Sequence, residues 1–336
     1  NGLTLELTGG RVATDHVDIF FMFFIALAVY LSVLFAEQRK PLFNILAGVA
    51  MGLAVLCKWL PALIVAPIWL LIIHDTGKFS IKEITIHLGV LVFVSLIVFA
   101  PWQIYIHNTY PFEAQFESEF NRRHITEVLD GRGGPWYFHL QYIGIIFGEL
   151  IYLPLIGVFL YFIKVKLDLK VAAIAFWSIV PLLFFTVVAT KMQAYTMMAA
   201  PAFFLLISWF WWSLFTRLDS FKWKWLYISI LLLLIVLPIR YSIERMKLFT
   251  NIDRDPQWTK DLRFLDERIK SDKAVVFNVA HAIAAMYYSD LTVYSHIPSI
   301  EDLKNARQAG FEIYIADDGK IPENIKNQGV TLISLE

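Results

Sequence analysis

Long runs of apolar residues fill most of the first 240 positions of this 336-residue chain. A helix needs about 20 mainly apolar residues to cross the hydrocarbon core of a bilayer. Such runs lie at 17–36, 42–73, 84–101, 138–163, 171–189, 194–215 and 225–239. The run at 42–73 is too long for one span and contains Lys58 and Pro61, so it predicts two short helices joined by a turn. The pattern predicts an α-helical polytopic membrane protein with about eight transmembrane helices.

The composition supports this class. Hydrophobic residues make up 58% of the chain and charged residues 17%, whereas soluble domains average about 45–50% and about 25%. The formal net charge is zero, so overall charge gives no indication of a nucleic-acid partner. The single cysteine, Cys57, excludes a disulfide within the chain and is interpreted as a small buried apolar residue.

The basic residues between the runs predict how the chain is oriented. Alternate connections carry Arg39 and Lys40, then Lys78 and Lys82, then Lys164, Lys166 and Lys170, then Arg217, Lys222 and Lys224. Short loops rich in Lys and Arg stay in the cytoplasm. The other connections, including the loop 102–137, should therefore face the non-cytoplasmic side, which is the periplasmic side of an inner membrane. We expect everything after Arg240 to lie on that side too.

From about Arg240 the composition becomes that of a water-soluble domain. Strands are predicted at 274–279, 292–295, 312–316 and 331–335, and helical segments alternate with them. Such alternation is typical of a small, mostly parallel sheet. The predicted organisation is thus a transmembrane catalytic domain at 1–240 and a small α/β soluble domain at 241–336. No glycine-rich phosphate loop follows any of these strands.

Ionisable side chains beside apolar runs are costly near lipid and are therefore candidates for function. Asp15 and Asp18, before the first run, share a helical face. They are either a helix cap with a solvated acid or carboxylates at the mouth of a membrane cavity. Lys58 is either a lysine that reaches to the interface or a cation that binds an anionic headgroup.

The loop 102–137 has two notable features. Phe112, Phe116 and Phe120 recur every four residues, which predicts an amphipathic helix on the membrane surface. Its glycines suggest a flexible lid.

Further cations follow in this loop and in a later turn. Arg122 and Arg123 suit phosphate because a guanidinium can bind two oxygens. His124 has four possible roles: metal ligand, proton shuttle, phosphate ligand or plain interfacial residue. Lys191 and Tyr195 are four residues apart in an outward turn, and each could also be only a membrane anchor.

Four stretches, in this order, resemble the GT-C glycosyltransferases that use lipid-phosphate sugars, in the branch of aminoarabinose transferases and protein mannosyltransferases (families 39 and 83). They are Arg11-Val-Ala-Thr-Asp15; Gly52-Leu-Ala-Val-Leu-Cys-Lys58-Trp-Leu-Pro61; Ala100-Pro-Trp102 with Arg123-His124 and Gly134-Pro-Trp136-Tyr137; and Lys191-Met-Gln-Ala-Tyr195 before Ala200-Pro201-Ala202. The resemblance covers about residues 5–215.

The resemblance implies a polyprenyl-phosphate sugar donor, membrane lipid partners, and a lipid A, protein or glycan acceptor on the outer side. It implies that transfer inverts the anomeric centre, with Asp15 as part of a second acidic site. The residues it implies around the lipid phosphate are Lys58, Arg122, Arg123, His124, Lys191 and Tyr195. Some members hold a divalent metal ion there, and His124 is the matching candidate.

The chain also departs from the family pattern. The main acidic site, which should supply the catalytic base, is expected upstream of Asn1. We therefore expect either an N-terminally truncated fragment that is inactive alone or an inactive copy of such an enzyme. Gln193 occupies a place where the family often has proline, which affects the geometry of the turn.

Two other functions stay open. A transporter or flippase for a lipid-linked or anionic solute should carry polar residues at mid-membrane in broken helices. Here Glu149 is the clearest ionisable residue within a run. The third possibility is a membrane anchor that presents the C-terminal domain, but it gives the outward cations no common purpose.

Overall fold

The computed structural model describes residues 2–8, 17–129, 131–164, 168–216, 221–247, 257–271 and 273–335. The chain divides into two compact units, Asn1–Leu248 and Phe249–Glu336. The last helix of the first unit continues to Met246, past the end predicted for the membrane domain at residue 240.

The regular secondary structure in the described part of the first unit is all helical. Its helices are α1 (Gly2–Thr8), α2 (Val17–Gln38), α3 (Pro41–Lys58), α4 (Val65–Asp75), α5 (Ile81–Thr109), α6 (Pro111–Thr126), α7 (Phe138–Phe147), α8 (Tyr152–Lys164), α9 (Leu169–Val187), α10 (Ala200–Phe215) and α11 (Phe221–Met246). Short 3₁₀ helices at Leu60–Ile64, Glu149–Ile151 and Gln193–Ala199 precede α4, α8 and α10.

Six helical segments of the described chain are long and apolar enough to cross a membrane: Val17–Gln38, Pro41–Lys58, Ile81–Thr109, Leu169–Val187, Gln193–Phe215 and Trp223–Met246. The pair Phe138–Phe147 and Glu149–Ile163, bent by 116°, would be a seventh, whereas Leu60–Asp75 is a shorter apolar helix. All eight predicted apolar segments are therefore helical, but one is bent and one is short. The predicted polytopic membrane fold is confirmed.

Helix α5 is longer than the sequence predicts. It begins at a capping box, in which the Ser80 hydroxyl accepts from the Glu83 N–H at 3.3 Å and Glu83 accepts from the Ser80 N–H at 2.8 Å. Proline usually ends or kinks a helix because it lacks an N–H, and the predicted apolar run ends at Pro101. The helix instead continues through Pro101 to Thr109, so the first part of the loop 102–137 is helical.

Two glycines allow α3 and α5 to pack closely. Gly48 and Gly52 are four residues apart, as in the small-residue motif that lets membrane helices approach each other. A Cβ at Gly48 would lie 2.8 Å from the Leu91 carbonyl oxygen. At Gly52 it would lie 2.7 Å from the Val98 Cβ and 2.8 Å from the Ser95 carbonyl oxygen. Glycine is thus required at both positions by the space available.

Two residues of the predicted basic connections, Arg39 and Lys170, form ion pairs with neighbouring helices. Arg39 pairs with Glu83 at 2.6 Å, and its guanidinium lies 4.7 Å from the centre of the Phe79 ring. Lys170 lies 3.6 Å from Asp75. These contacts join the connections on either side of α3 and α4 to the start of α9. In the other set, Lys58 contacts Tyr195, and the Lys191 N–H donates to the Arg132 carbonyl.

The second unit has a four-stranded parallel sheet. The strands β1 (Ala274–Phe277), β2 (Thr292–Val293), β3 (Glu312–Ala316) and β4 (Thr331–Ile333) pair in the order β2-β1-β3-β4. Its helices are α12 (Gln257–Arg263), α13 (Leu265–Arg268), α14 (Ala282–Tyr288), α15 (Ile300–Gln308) and α16 (Glu323–Lys326). The predicted small parallel α/β fold is confirmed.

The alternating side chains of the strands face two apolar layers. Val276 packs on one face with Leu262 and Leu265 from α12 and α13. Phe277 packs on the other face with Leu303 from α15 and Ile325 from α16. Both layers are buried, so the sheet is covered on both faces over its central strands.

We predict that Ser299→Ala frays α15. The Ser299 hydroxyl accepts from the Asp302 N–H at 3.1 Å, and Asp302 accepts from the Ser299 N–H at 2.8 Å. Losing such a cap costs about 1 kcal/mol, which should appear as faster amide exchange over 300–308 in the full chain. Ser334→Ala, at an exposed serine outside the helix, is the control.

The same bonds hold the pKa of Asp302 below its ordinary value. Because the folded pKa is lowered, the carboxylate stabilises α15 above its unfolded pKa of about 3.9, and this contribution is lost as the pH falls through the folded pKa. The difference in exchange between the wild type and Ser299→Ala should therefore shrink below about pH 4. A pH-independent difference would contradict the role of the carboxylate.

Candidate functional site

The predicted cation Lys58 lies partly buried between an acidic and an aromatic side chain. It is the last residue of α3, and its ammonium forms an ion pair with the carboxylate of Asp18 at the start of α2. The Asp18 side chain is 2% exposed and that of Lys58 is 21% exposed. The ammonium also lies 4.5 Å from the centre of the Tyr195 ring, a distance at which a cation is attracted to an aromatic face. The structure thus brings Lys58 and Tyr195 together and adds Asp18.

The turn after Lys58 is strained. Trp59 has a φ of 61°, which is unfavourable for a bulky residue and costs on the order of 1–3 kcal/mol. The turn is continued by Leu60 and Pro61 in a 3₁₀ helix. The C-terminus of α3 also favours the Lys58 ammonium, because the negative end of the helix dipole lies there.

Lys191 follows the C-terminal end of α9, which ends at Val187, and is 7% exposed. Its ammonium donates to the carbonyl oxygens of Thr186 and Val188 at 2.8 Å each, and to that of Phe185 at 3.4 Å. These are carbonyls that the end of α9 leaves without a helical partner. Burial lowers the pKa of the Lys191 ammonium. Lys191 therefore caps α9, and its three donors are used by the backbone.

The segment after α6 is bound to the Lys191 turn by main-chain hydrogen bonds. The Thr190 N–H donates to the His124 carbonyl at 3.1 Å, and the Lys191 N–H donates to the Arg132 carbonyl at 2.7 Å. The Thr190 hydroxyl, which is fully buried, donates to the Glu127 carbonyl at 2.8 Å. The loop that was predicted to carry cations is thereby fixed beside the Lys191 turn.

A cleft of about 310 Å³ opens beside this turn. Arg132, Lys191 and Arg245 line it together with Glu6 and Gln193. Three cations and one carboxylate give it a net positive charge. The other lining residues are Leu3, Leu7, Phe138, Met192 and Ala194. A positive cleft with an apolar wall suits an amphiphilic anion.

The side chains of the cleft hold one another in place. Arg245 pairs with Glu6 at 2.6 Å and donates to the amide oxygen of Gln193 at 3.1 Å. Gln193, which stands where the family often has proline, thus positions a guanidinium. Arg132 lies 3.1 Å from the Met192 sulfur, and among the described residues it has no carboxylate partner. Its guanidinium is therefore available for an anion.

Arg122 and Arg123 are already paired within α6 and just after it. Arg122 binds Glu119 at 2.5 Å and Arg123 binds Glu127 at 2.8 Å, and all four side chains are well exposed. The hydrogen bond from Arg122 lowers the pKa of Glu119. The predicted helix with Phe112 and Phe116 exposed is present. The place of the two arginines beside a phosphate stays a prediction.

His124 was also predicted as a metal ligand. Its Nδ1 lies 3.0 Å from the Phe120 carbonyl oxygen, and its ring packs edge-on against the Phe120 ring. Among the residues that the structure describes, no group of three His, Cys, Asp or Glu side chains could hold a metal ion. The role of His124 as a metal ligand stays a prediction, and we assign no step to a metal. Asp15, the predicted acid, lies outside the described residues.

The chain is similar to a known protein family and to a solved structure. Residues 4–105 match the family described as dolichyl-phosphate-mannose-protein mannosyltransferase. The structure is similar to the crystal structure of ArnT from Cupriavidus metallidurans bound to undecaprenyl phosphate, with a TM-score of 0.54 and 12% identity. The chain shares the fold of this ArnT structure. The resemblance predicted from the motifs is thereby confirmed at the level of the fold.

These matches cover only parts of the proteins compared. The ArnT match covers 87% of this chain and 64% of that structure, so the chain spans less than two thirds of ArnT's length. The family match covers less than a third of the chain. No curated protein sequence matches the chain. These matches show the fold of the chain.

Sequence reasoning missed part of this site. It treated Asp18 only as a neighbour of Asp15, and it did not use Glu6, Arg132 or Arg245. Arg132 could have been found from its position among the loop glycines. The pairing of Arg245 with Glu6 joins residues 239 positions apart, and no spacing rule signals such a contact.

Proposed function

We propose that this protein is a membrane glycosyltransferase that takes its sugar from a polyprenyl-phosphate-linked donor. The observation that carries the proposal is the half-buried Lys58 ammonium beside Tyr195 in a GT-C fold. The ArnT structure with the same fold holds undecaprenyl phosphate. A cation at the edge of lipid suits a ligand whose charged phosphate is attached to a long apolar chain.

The chemistry needs cations because the leaving group is a phosphate. As the bond between the anomeric carbon and the phosphate oxygen breaks, negative charge develops on that oxygen. Lys58 and Arg132 would stabilise this charge in the transition state, and Arg245 and Lys191 would add to the positive field of the cleft. Tyr195 positions the Lys58 ammonium through its ring. Arg122, Arg123 and His124 would contribute only if donor binding releases them from their present partners.

The acceptor hydroxyl must lose a proton as it attacks. A carboxylate in line with the departing phosphate can accept that proton and gives inversion at the anomeric carbon. We assign this role to an acidic site that includes Asp15. Asp18 is less suitable because its carboxylate is buried and already paired with the Lys58 ammonium. The acceptor is proposed to be a lipid, glycan or protein on the non-cytoplasmic side of the inner membrane.

One observation favours a transporter instead. The span formed by α7 and α8 is broken at Gly148 and bent by 116°, and Glu149 follows the break. Broken helices with polar residues are typical of transporters. Glu149, however, is exposed and accepts a hydrogen bond of 2.6 Å from the Tyr241 hydroxyl. Glu149 thus has a structural role, because its hydrogen bond joins the break to α11.

Transfer and transport can be separated in liposomes that contain the protein as its gene encodes it. With a polyprenyl-phosphate sugar as the donor, transfer releases free polyprenyl phosphate, whereas transport moves the intact donor between leaflets. We expect polyprenyl phosphate to accumulate in step with a glycosylated acceptor. Movement of the intact donor without its cleavage would contradict a transferase and support the transporter.

We predict different effects for two arginines of the same loop. Arg132→Ala should lower transfer by at least tenfold, since a charge-assisted hydrogen bond to the phosphate contributes about 1.5–3 kcal/mol. Arg122→Ala should change it less than about twofold, because an exposed pair with Glu119 contributes little. The measurement is the initial rate of transfer for both variants. Equal losses would place Arg122 beside the phosphate as well.

A further inference from the structure

The second unit has a cleft of about 380 Å³ between its edge strand and α15. The parallel register pairs Val275 with Thr292, so alternate residues of β1 and β2 face this cleft together. The lining residues are Val275, Phe277, Thr292, Tyr294, His296, Asp302, Asn305, Ala306, Ala309 and Phe311.

The packing of the unit explains why this space is open. Helices α15 and α16 cover β1 and β3 on this face, while β2 lies at the edge of the sheet. Where α15 faces the cleft it carries Ala306 and Ala309, whose small side chains do not fill it. Asp302 and Asn305 occupy the preceding turn of the same helical face. The wall is therefore polar at one end and apolar at the other.

Aromatic rings form the floor. The Phe277 ring, which is buried, stacks on the Tyr294 ring with centres 5.2 Å apart and an angle of 17° between the planes. Tyr294 is 44% exposed. The His296 ring lies 5.5 Å from Tyr294 and 5.7 Å from Phe277. A ring held on one side by a buried neighbour and open on the other is a preorganised platform, which limits the entropy lost on binding.

The fold leaves hydrogen-bonding groups at this cleft unused. One carboxylate oxygen of Asp302 caps α15 through Ser299. Within the described part of the chain, the other oxygen, the Asn305 amide and the Tyr294 hydroxyl form no hydrogen bond. Hydrogen-bond acceptors and donors that have no structural role thus lie beside an aromatic surface.

The chemistry of the lining indicates the ligand. Among the described residues of the cleft there is no lysine or arginine, and the His296 Nε2 lies 3.7 Å from a carboxylate oxygen of Asp302, so the lining offers no strong cation for a phosphate. A sugar ring has an apolar face of C–H groups and a rim of hydroxyls, which matches an aromatic platform beside carboxylate and amide groups. We propose that the second unit binds an uncharged carbohydrate in this cleft, with the sugar on Tyr294 and its hydroxyls bonded to Asp302 and Asn305. This site is additional to the one proposed for transfer and does not depend on it.

The test is binding of the full-length protein in lipid nanodiscs to an array of uncharged glycans that end in mannose, glucose, galactose, arabinose or N-acetylhexosamine. We expect at least one class of glycan to bind. Asn305→Ala should weaken that binding about threefold to tenfold, as expected for one lost hydrogen bond. Tyr294→Ala should weaken it further.

Matched controls separate binding from folding. Asn305 is an exposed helical residue, so its change to alanine should leave the unit folded. Asn324→Ala makes the same change at an exposed position of α16 outside the cleft, and it should bind as the wild type does. Absence of glycan binding, or binding that Asn305→Ala and Tyr294→Ala both leave unchanged, would overturn the proposal. The second result would assign the glycan to the first unit.

Discussion

Lys58→Met is expected to lower sugar transfer by about 100- to 1,000-fold, which is the usual loss when one group that stabilises a developing negative charge is removed. Methionine keeps an unbranched, flexible side chain of nearly the same length and removes the charged ammonium group. Lys58 is singled out because its ammonium is only partly exposed and lies between Asp18 and Tyr195. The measurement is the initial rate of transfer from a polyprenyl-phosphate sugar.

The variant has a second effect that must be separated from the first. Removing one partner of a buried ion pair leaves the other charge uncompensated and costs about 3–5 kcal/mol. The double variant Lys58→Met with Asp18→Asn removes both charges and should restore stability without restoring transfer. Lys170→Met, at an exposed pair with Asp75, is the control at the other end of the bundle. Normal transfer by the double variant would rule out a role for Lys58 in the reaction.

Gly52→Val is expected to disrupt the packing of α3 against α5. The new Cβ alone would lie 2.7 Å from the Val98 Cβ and 2.8 Å from the Ser95 carbonyl oxygen, and the second atom belongs to the backbone. Overpacking of this kind costs about 3 kcal/mol, which corresponds to a fall in Tm of about 6–12 °C. The measurement is thermal unfolding of the purified protein in detergent.

Gly89→Ala provides the matched control on α5. A Cβ at Gly89 would meet nothing within 4 Å, and alanine favours a helix over glycine by about 0.5–1 kcal/mol. We therefore expect the same or a slightly higher Tm. An unchanged Tm for Gly52→Val would show that the two helices do not approach each other as closely as the structure indicates.

The positions of the membrane helices could be predicted from the sequence because hydropathy is a property of each segment. Helix ends were less predictable, because they depend on local exceptions. Pro101 was expected to end a span, yet α5 continues past it. The bend at Gly148 was also not predicted. There the backbone has a φ of 90°, and a Cβ would lie 3.2 Å from Pro238 of α11, so the bend depends on a distant neighbour.

The candidate site was predicted only in part. Lys58 and Tyr195 could be assigned to one membrane face because alternate connections lie on the same side. Their contact, and the addition of Asp18, follow from packing between α2, α3 and the turn before α10. Arg122 and Arg123 looked suitable for phosphate because their residue type suits it. In the structure, glutamates three and four residues away bind them, whereas Arg132 has no carboxylate partner among the described residues.

The most direct measurement compares the binding of undecaprenyl phosphate and of undecaprenol to the purified protein. Native mass spectrometry detects the bound lipid. The two lipids differ only in the phosphate, so the comparison isolates the charge that the proposed site recognises. We predict that undecaprenyl phosphate binds at least tenfold more tightly than undecaprenol, and that the double variant Lys58→Met with Asp18→Asn removes this preference. Equal binding of the two lipids by the wild type would contradict a polyprenyl-phosphate site in this fold.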